Sequence, residues 1–235
     1  MVDKPGRRKK TEPPWGKIAA AVVVALIVVA AGYFVYENYI FQAPPVYAKI
    51  GTSQGYIYAE LYPSCAPRTV ANFVNLTNTH FYDDLVWHRV VAGFVIQTGD
   101  PNTRGGVNST RSTWGQGKTN QQVPFEWCGS LHNFAGYLGM ASTAPKGPST
   151  SQFFINLSNS SANLSLDDNY TVFGRVISGM SAVCALANNR TNPVYPSSSS
   201  LFSQPINIGS AMLNNVTIIP AAQAPTPQPI VACKS

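Results

Sequence analysis

An uninterrupted apolar run near the start of the chain limits the possible folds more than any other feature of the sequence. Residues 18–36, IAAAVVVALIVVAAGYFVY, are 19 residues without a charged side chain. As an α-helix the run would be roughly 28 Å long at about 1.5 Å per residue, close to the hydrocarbon thickness of a bilayer. It therefore predicts one transmembrane helix ahead of the rest of the chain.

The charges beside this run indicate its orientation. Residues 1–17 contain six Lys or Arg and two acidic residues, within a chain of formal net charge +6. Positive segments stay on the cytoplasmic side, so we expect 1–17 to be a cytoplasmic tail, 18–36 a cell-membrane anchor and the remainder extracytoplasmic. A cleaved signal peptide is the alternative, although the apolar core is long for one and no clear Ala-x-Ala site follows. Because the basic block adjoins an apolar run, we expect a membrane partner and no nucleic acid.

Beyond the anchor, the pattern predicts a linker, a mainly β domain and a Pro-rich tail, over 37–45, 46–220 and 221–235. Strands are expected where apolar residues alternate or cluster, at 46–50, 56–61, 152–157, 171–177 and 214–219. Two helices are expected at 67–77, which has Pro67 in its first turn, and at 178–187. Segments rich in small polar residues predict long loops at 103–121 and 190–204.

The most distinctive segment of the domain is WHRVVAGFVIQTGD, residues 87–100. Its composition predicts a strand, yet Arg89 is a lone cation among Val, Ile and Phe. Burying such a charge without a partner is costly, so we expect Arg89 to face a cleft.

Four blocks of the chain, in this order, resemble the cyclophilins, a family of peptidyl-prolyl cis-trans isomerases. They are APRTVANFVNL at 66–76 followed by FYD at 81–83, the segment 87–100, GYLGMA at 136–141 followed by SQFFIN at 151–156, and LDDNYTVFGRVISGM at 166–180. The resemblance covers roughly 46–187. It implies an eight-stranded antiparallel β-barrel capped by two helices.

The implied reaction is rotation about an Xaa-Pro amide, whose barrier is about 18–20 kcal/mol. It breaks no bond and requires no cofactor and no metal, and the three His of the chain lack ligand spacing. By resemblance, the catalytic set is Arg89, Gln97 and Phe94. Substrate binding is implied for Val95, Ala141, Ser142, Gln152, Phe154, Leu166 and Tyr170. Periodicity alone would make Phe94 and Phe154 core residues.

The chain departs from the family pattern at several positions. Ser165 stands where members often have a Trp that helps bind cyclosporin, so we expect weak cyclosporin binding. Tyr170 replaces a common His, and Val95 a common Met. Arg89 and Phe154 are retained, and we expect activity.

Four cysteines, Cys65, Cys128, Cys184 and Cys233, follow the anchor, where disulfides persist. Two disulfides with three possible pairings, or buried thiols, are open alternatives. Eight Asn-x-Ser/Thr sequons also occur; Asn75 and Asn156 lie in predicted elements, whereas Asn108, Asn159 and Asn163 are better placed as loop acceptors.

The resulting hypothesis is a membrane-anchored isomerase that acts on proline-containing segments of exported or surface proteins and assists their folding. The alternative is a catalytically weak module at the membrane surface that only binds such segments.

Overall fold

The computed structural model describes residues 15–35, 43–106, 108–188, 209 and 211–233. The chain forms two compact units, residues 1–42 and 43–235. Most of the predicted cytoplasmic tail, most of the linker and the loop at 190–204 lie outside the described residues.

The first unit contains one helix, α1 (Trp15–Val35), whose described side chains are exposed. Its segment Ile18–Val35 has a mean hydropathy of 2.8 and is long and apolar enough to cross a membrane. A signal sequence near the N-terminus would have the same properties.

The second unit is built on an antiparallel sheet that curls into a half-barrel, with strand order β3-β9-β1-β2-β8-β6-β7-β5-β4. Its nine strands are β1 (Val46–Thr52), β2 (Gly55–Leu61), β3 (Leu85–Val86), β4 (Arg89–Val91), β5 (Val95–Thr98), β6 (Tyr137–Ser142), β7 (Ser149–Asn156), β8 (Val172–Ser178) and β9 (Met212–Ile219). The predicted mainly β, cyclophilin-like architecture is confirmed as a half-barrel, with nine strands among the described residues instead of the expected eight.

One strand prediction was wrong. Residues 87–100 do not form a single strand, because the chain reverses between β4 and β5. Gly93 adopts φ +67°, which favours glycine, and the N–H of Phe94 donates to the carbonyl of Val91 at 3.0 Å. The reversal puts Arg89 directly opposite Gln97 in the β4–β5 pair.

Among the described residues, three α-helices accompany the sheet: α2 (Pro67–Asn78), α3 (Ser161–Leu164) and α4 (Met180–Asn188). The apolar face of α2 buries Val70, Phe73 and Leu76 against the core. Phe73 contacts the rings of Tyr82 and Phe153 at centroid distances of 5.1 and 5.4 Å. This aromatic cluster fills the interior of the half-barrel, so the functional cavity must lie outside it.

Two disulfides resolve the pairing that the sequence left open: Cys65–Cys128 and Cys184–Cys233. Each closes a long loop, and chain entropy predicts a stabilisation of about 4 kcal/mol for loops of this length. The second disulfide fixes the Pro-rich tail, whose Gln228 N–H also donates to the carbonyl of Ile177.

The structure corrects the expectation for one sequon. Asn163 is fully buried and its side-chain amide is hydrogen-bonded, so it is not available as a glycan acceptor in the folded domain. Asn156 is equally buried. The Asn108 side chain and the whole of Asn189 lie outside the described residues.

Candidate active site

A cavity of about 370 Å³, called here the proline cavity, gathers most of the residues that the sequence singled out. Nine of the ten predicted site residues line it: Arg89, Phe94, Val95, Gln97, Ala141, Ser142, Phe154, Leu166 and Tyr170. The tenth, Gln152, lines an adjoining cavity of about 500 Å³, called here the second cavity.

Two further residues of the proline cavity, Gly115 and Thr143, were not predicted. Thr143 directly follows the predicted site residues Ala141 and Ser142, so its position in the sequence could have indicated that it lines the same cavity. Gly115 belongs to the irregular segment between β5 and β6, and nothing local in the sequence indicates that it returns to the site.

Apolar side chains from different parts of the sheet form one wall of the proline cavity. Val95 and Phe154 are almost completely buried, whereas Phe94 remains half-buried. Phe154 also meets the ring of Tyr170 edge-to-face, with centroids 6.2 Å apart. This wall is suited to an uncharged, compact ring.

Phe154 depends on a glycine in the neighbouring strand. Gly139 pairs with Phe154 between β6 and β7. A Cβ added at Gly139 would lie 2.2 Å from the Cζ atom of the Phe154 ring. The absence of a side chain at Gly139 therefore allows the ring to lie across β6.

Arg89 supplies the positive charge of the site. Its Nη1 donates to Oε1 of Gln97 at 3.4 Å, and its Cζ lies 5.9 Å from the centroid of Phe94. Burial lowers the pKa of the guanidinium, while Tyr170 opposes the shift. Because an arginine starts from so high a pKa, it stays charged, and its hydrogen bonds are stronger in a partly desolvated site than in water.

A chain of amide hydrogen bonds fixes the direction in which Gln97 points. Nε2 of Gln152 donates to the carbonyls of Gly115 and Gly117, at 3.1 and 2.7 Å. Its Oε1 is thereby left to accept from Nε2 of Gln97 at 2.9 Å. The carbonyl oxygen of Gln97 must then face Arg89, so Gln152 orients Gln97 from outside the proline cavity.

Asp100 anchors the same irregular segment and was missed as a positioning residue. Its Oδ2 accepts hydrogen bonds from the N–H groups of Gly115 and Gly117, and its Oδ1 from that of Asn102. A Cβ at Gly117 would lie 1.9 Å from Oδ1 of Asp100, so a glycine is needed there. The sequence showed an Asp at the end of the segment 87–100 but gave no sign of its partners.

Asp167 holds the segment between α3 and β8 that carries Leu166 and Tyr170. Its carboxylate accepts from the N–H and amide of Asn133, at 2.7 and 2.9 Å, and pairs with His132 at 2.8 Å. Burial would raise the pKa of Asp167, but these hydrogen bonds and His132 outweigh it and hold the pKa below 3.8. The rim of the cavity is therefore fastened to residues 132–133 by an ionised carboxylate.

Within the described ranges, no group of three or more His, Cys, Asp or Glu is placed to hold a metal ion. The chemistry that the site offers is that of a fixed guanidinium, amides and an apolar pocket.

Comparison with known proteins identifies the family. Residues 47–212 match the sequence model of the family described as cyclophilin type peptidyl-prolyl cis-trans isomerase/CLD. The chain is a cyclophilin. Catalysis of the cis–trans isomerisation of Xaa-Pro bonds is thus its enzymatic activity.

Curated relatives of this cyclophilin carry the same activity in their names. It is 33% identical over 199 residues to peptidyl-prolyl cis-trans isomerase A of Dickeya dadantii, a match that covers 84% of the chain and 97% of the relative. It is 37% identical over 141 residues to peptidyl-prolyl cis-trans isomerase-like 1 of Aspergillus fumigatus, covering 60% of the chain and 81% of that relative.

Solved structures agree with the cyclophilin fold. A cyclophilin type isomerase of Cryptosporidium parvum superposes with a TM-score of 0.59 at 26% identity, covering 75% of this chain and 99% of that one. A second structure of that protein, in the presence of the dipeptide Ala-Pro, gives 0.58 at 28% identity, covering 74% and 99%.

Proposed function

We propose that the proline cavity is the active site and that Arg89 is its principal catalytic residue. The observation that supports this most is the partly desolvated guanidinium at the edge of an apolar cavity, with Gln97 beside it. A proline ring would rest against Phe94, Val95, Phe154 and Leu166. The flanking chain would lie along Ala141 and Ser142, with Tyr170 completing the polar contacts and Gln152 acting through Gln97.

In this mechanism the enzyme stabilises a twisted amide. As resonance is lost, the prolyl nitrogen becomes pyramidal and can accept a hydrogen bond, which Arg89 donates. Gln97 holds the guanidinium in the required direction, and Gln152 holds Gln97. A thousandfold acceleration needs about 4 kcal/mol of preferential transition-state binding. One charge-assisted hydrogen bond of about 1.5–3 kcal/mol plus clamping of the chain is of that order.

The test is prolyl exchange in a short Xaa-Pro peptide, measured with the full chain in detergent. We expect acceleration by the native enzyme and a loss of roughly 10- to 100-fold in Arg89→Ala, the range that one charge-assisted hydrogen bond supports. Lys49→Ala is the control, since Lys49 lies over the ring of Tyr56 and does not line the proline cavity. Full acceleration by Arg89→Ala would refute the assigned role.

We further propose the domain organisation expected from the sequence: an anchor at 18–36 and an extracytoplasmic isomerase domain that assists the folding of exported proteins. The apolar α1 supports the anchor, and two disulfides in the second unit suit an oxidising compartment. The mass of the membrane-extracted protein discriminates an anchor from a cleaved signal sequence. Protection of the domain from protease added outside intact cells would contradict the proposed orientation.

A further inference from the structure

A polar groove lies between α2 and the segment 121–124, away from the proline cavity. Its volume is about 540 Å³, and its lining residues include Arg68, Asn72, Asn75, Gln121 and Gln122. Apart from Asn72, these side chains are exposed. We call this feature the α2 groove. The proposed catalytic mechanism assigns no role to its lining residues.

The α2 groove is continuous with the active site through shared lining residues. The second cavity shares five residues with the proline cavity: Gln97, Gly115, Ala141, Ser142 and Thr143. It shares Gln122 with the α2 groove. Thr150 also joins the two, since it lines the second cavity and its carbonyl accepts from Nδ2 of Asn72 at 2.6 Å. A peptide chain can therefore follow one track across all three depressions.

The charges along this track have one sign. Arg89 lines the proline cavity, Lys118 the second cavity and Arg68 the α2 groove, and no acidic residue lines any of the three. Glu126 lies close to Arg68, but its carboxylate accepts hydrogen bonds from the N–H groups of Arg68 and Thr69 and does not line the groove. In the described part of the chain, no ion pair involves the Arg68 guanidinium.

From these observations we propose that the α2 groove is a specificity subsite for acidic side chains in the peptide flanking the isomerised proline. The proposal rests on the proposed function, because the proline ring in the proline cavity holds the peptide in register. Arg68 recognises the carboxylate, and Lys118 attracts it along the track. The preferred substrates are proline segments with an Asp or Glu several residues away from the proline.

The test compares peptides that share a central Ala-Pro unit in a neutral chain, with a single Asp placed in turn at each flanking position. Dissociation constants are measured with the full chain in detergent. At one or more positions distant from the proline we expect Asp to tighten binding about two- to fivefold, as a partly exposed ion pair of about 0.5–1 kcal/mol allows. The advantage should shrink as salt is raised.

Charge reversal supplies the decisive comparison. In Arg68→Glu, the ratio of affinities for the Asp and neutral peptides should fall below one, and a Lys at the same position should now be favoured. Lys49→Glu makes the same change of charge on a residue that lines none of the three depressions, and it should keep the native ratio. An Asp advantage that is absent, or that survives in Arg68→Glu, overturns the proposal.

These outcomes are separable from failure of the proposed function. The preference for Asp beside the proline is measured as a ratio of binding affinities within each protein. The role of Arg89 is measured separately, as a rate of cis–trans exchange. If exchange is unaffected in Arg89→Ala while the ratio inverts in Arg68→Glu, the catalytic assignment fails and the subsite stands.

Discussion

The side-chain amide of Asn163 donates a hydrogen bond to the main-chain carbonyl of Phe94 at 2.8 Å. The same amide donates to Oδ1 of Asn156, also at 2.8 Å, and its own Oδ1 accepts from the hydroxyls of Ser158 and Ser160 at 2.7 Å. Asn163 is fully buried, so each of these bonds is shielded from water. Phe94 is thereby tied to the segment that leads to Leu166.

Removing this amide should loosen the proline cavity. We expect Asn163→Ala to lower the free energy of unfolding by about 1–3 kcal/mol, because it leaves buried acceptors without donors. It should also raise KM for a short proline peptide severalfold, because Phe94 is no longer held. Kinetics and denaturant unfolding of the same preparation check both effects.

Thr103→Val is the matched control for that variant. It removes buried hydrogen bonds to the carbonyl of Asp100 and from the N–H of Val86, and Thr103 does not line the proline cavity. Its stability should fall with little change in KM. An equal rise in KM in the two variants would mean that Asn163 does not specifically position Phe94.

A methyl group at Gly139 should disturb Phe154 more than the rest of the domain. The added Cβ would overlap the ring, and the ring lines the proline cavity. We expect Gly139→Ala to weaken proline-peptide binding severalfold and to lower the free energy of unfolding by about 1–3 kcal/mol, the usual cost of overpacking. Unaltered peptide affinity in Gly139→Ala would show that peptide binding does not depend on the position of the Phe154 ring.

His88 should make stability depend on pH. Burial lowers its pKa from 6.5 to about 4, against the opposing influence of Asp100. Between these values the unfolded chain binds a proton that the folded chain does not, so stability falls as the pH drops from 6.5 towards 4. The loss approaches about 3 kcal/mol.

Urea unfolding across that pH range, in the native chain and in His88→Gln, checks this expectation. Gln has a similar size and does not titrate, so the variant should lose most of the slope between pH 6.5 and 4. If the free energy of unfolding of His88→Gln depends on pH as steeply as that of the native chain, titrating groups other than His88 cause the effect.

The native enzyme should bind cyclosporin weakly, and a Trp at position 165 should strengthen the binding. Ser165 is exposed, donates to the carbonyl of Ala162 and does not line the proline cavity. Ser165→Trp should tighten cyclosporin binding by about tenfold or more, since burying a large apolar side chain contributes about 1.5–3 kcal/mol. Ser165→Ala is the control, and strong inhibition of the native enzyme would contradict the expectation.

The sequence predicted the β-rich barrel, both main helices and the wall residues of the proline cavity, because strand patterns and the four family blocks are local signals. Arg89 among apolar residues correctly indicated a cleft. The reversal at Gly93 was missed, since a lone glycine in an apolar run does not by itself predict a turn.

Contacts between segments that are distant along the chain could not be predicted from the sequence. Asp100 reaches Gly115 and Gly117, and Gln152 reaches the same loop, but no spacing rule connects residues that far apart along the chain. The disulfide pairing was undetermined for the same reason. Asn163 was interpreted as a loop acceptor because its burial depends on partners that only the fold supplies.

Binding and cis–trans exchange can be measured by NMR on one proline peptide, saturated with the native chain or with Arg89→Ala. We predict that the variant still binds the peptide, since the apolar wall is intact, while cis–trans exchange of the bound peptide slows by roughly 10- to 100-fold. Native exchange rates in peptide bound to Arg89→Ala would contradict the claim that the guanidinium carries the catalysis.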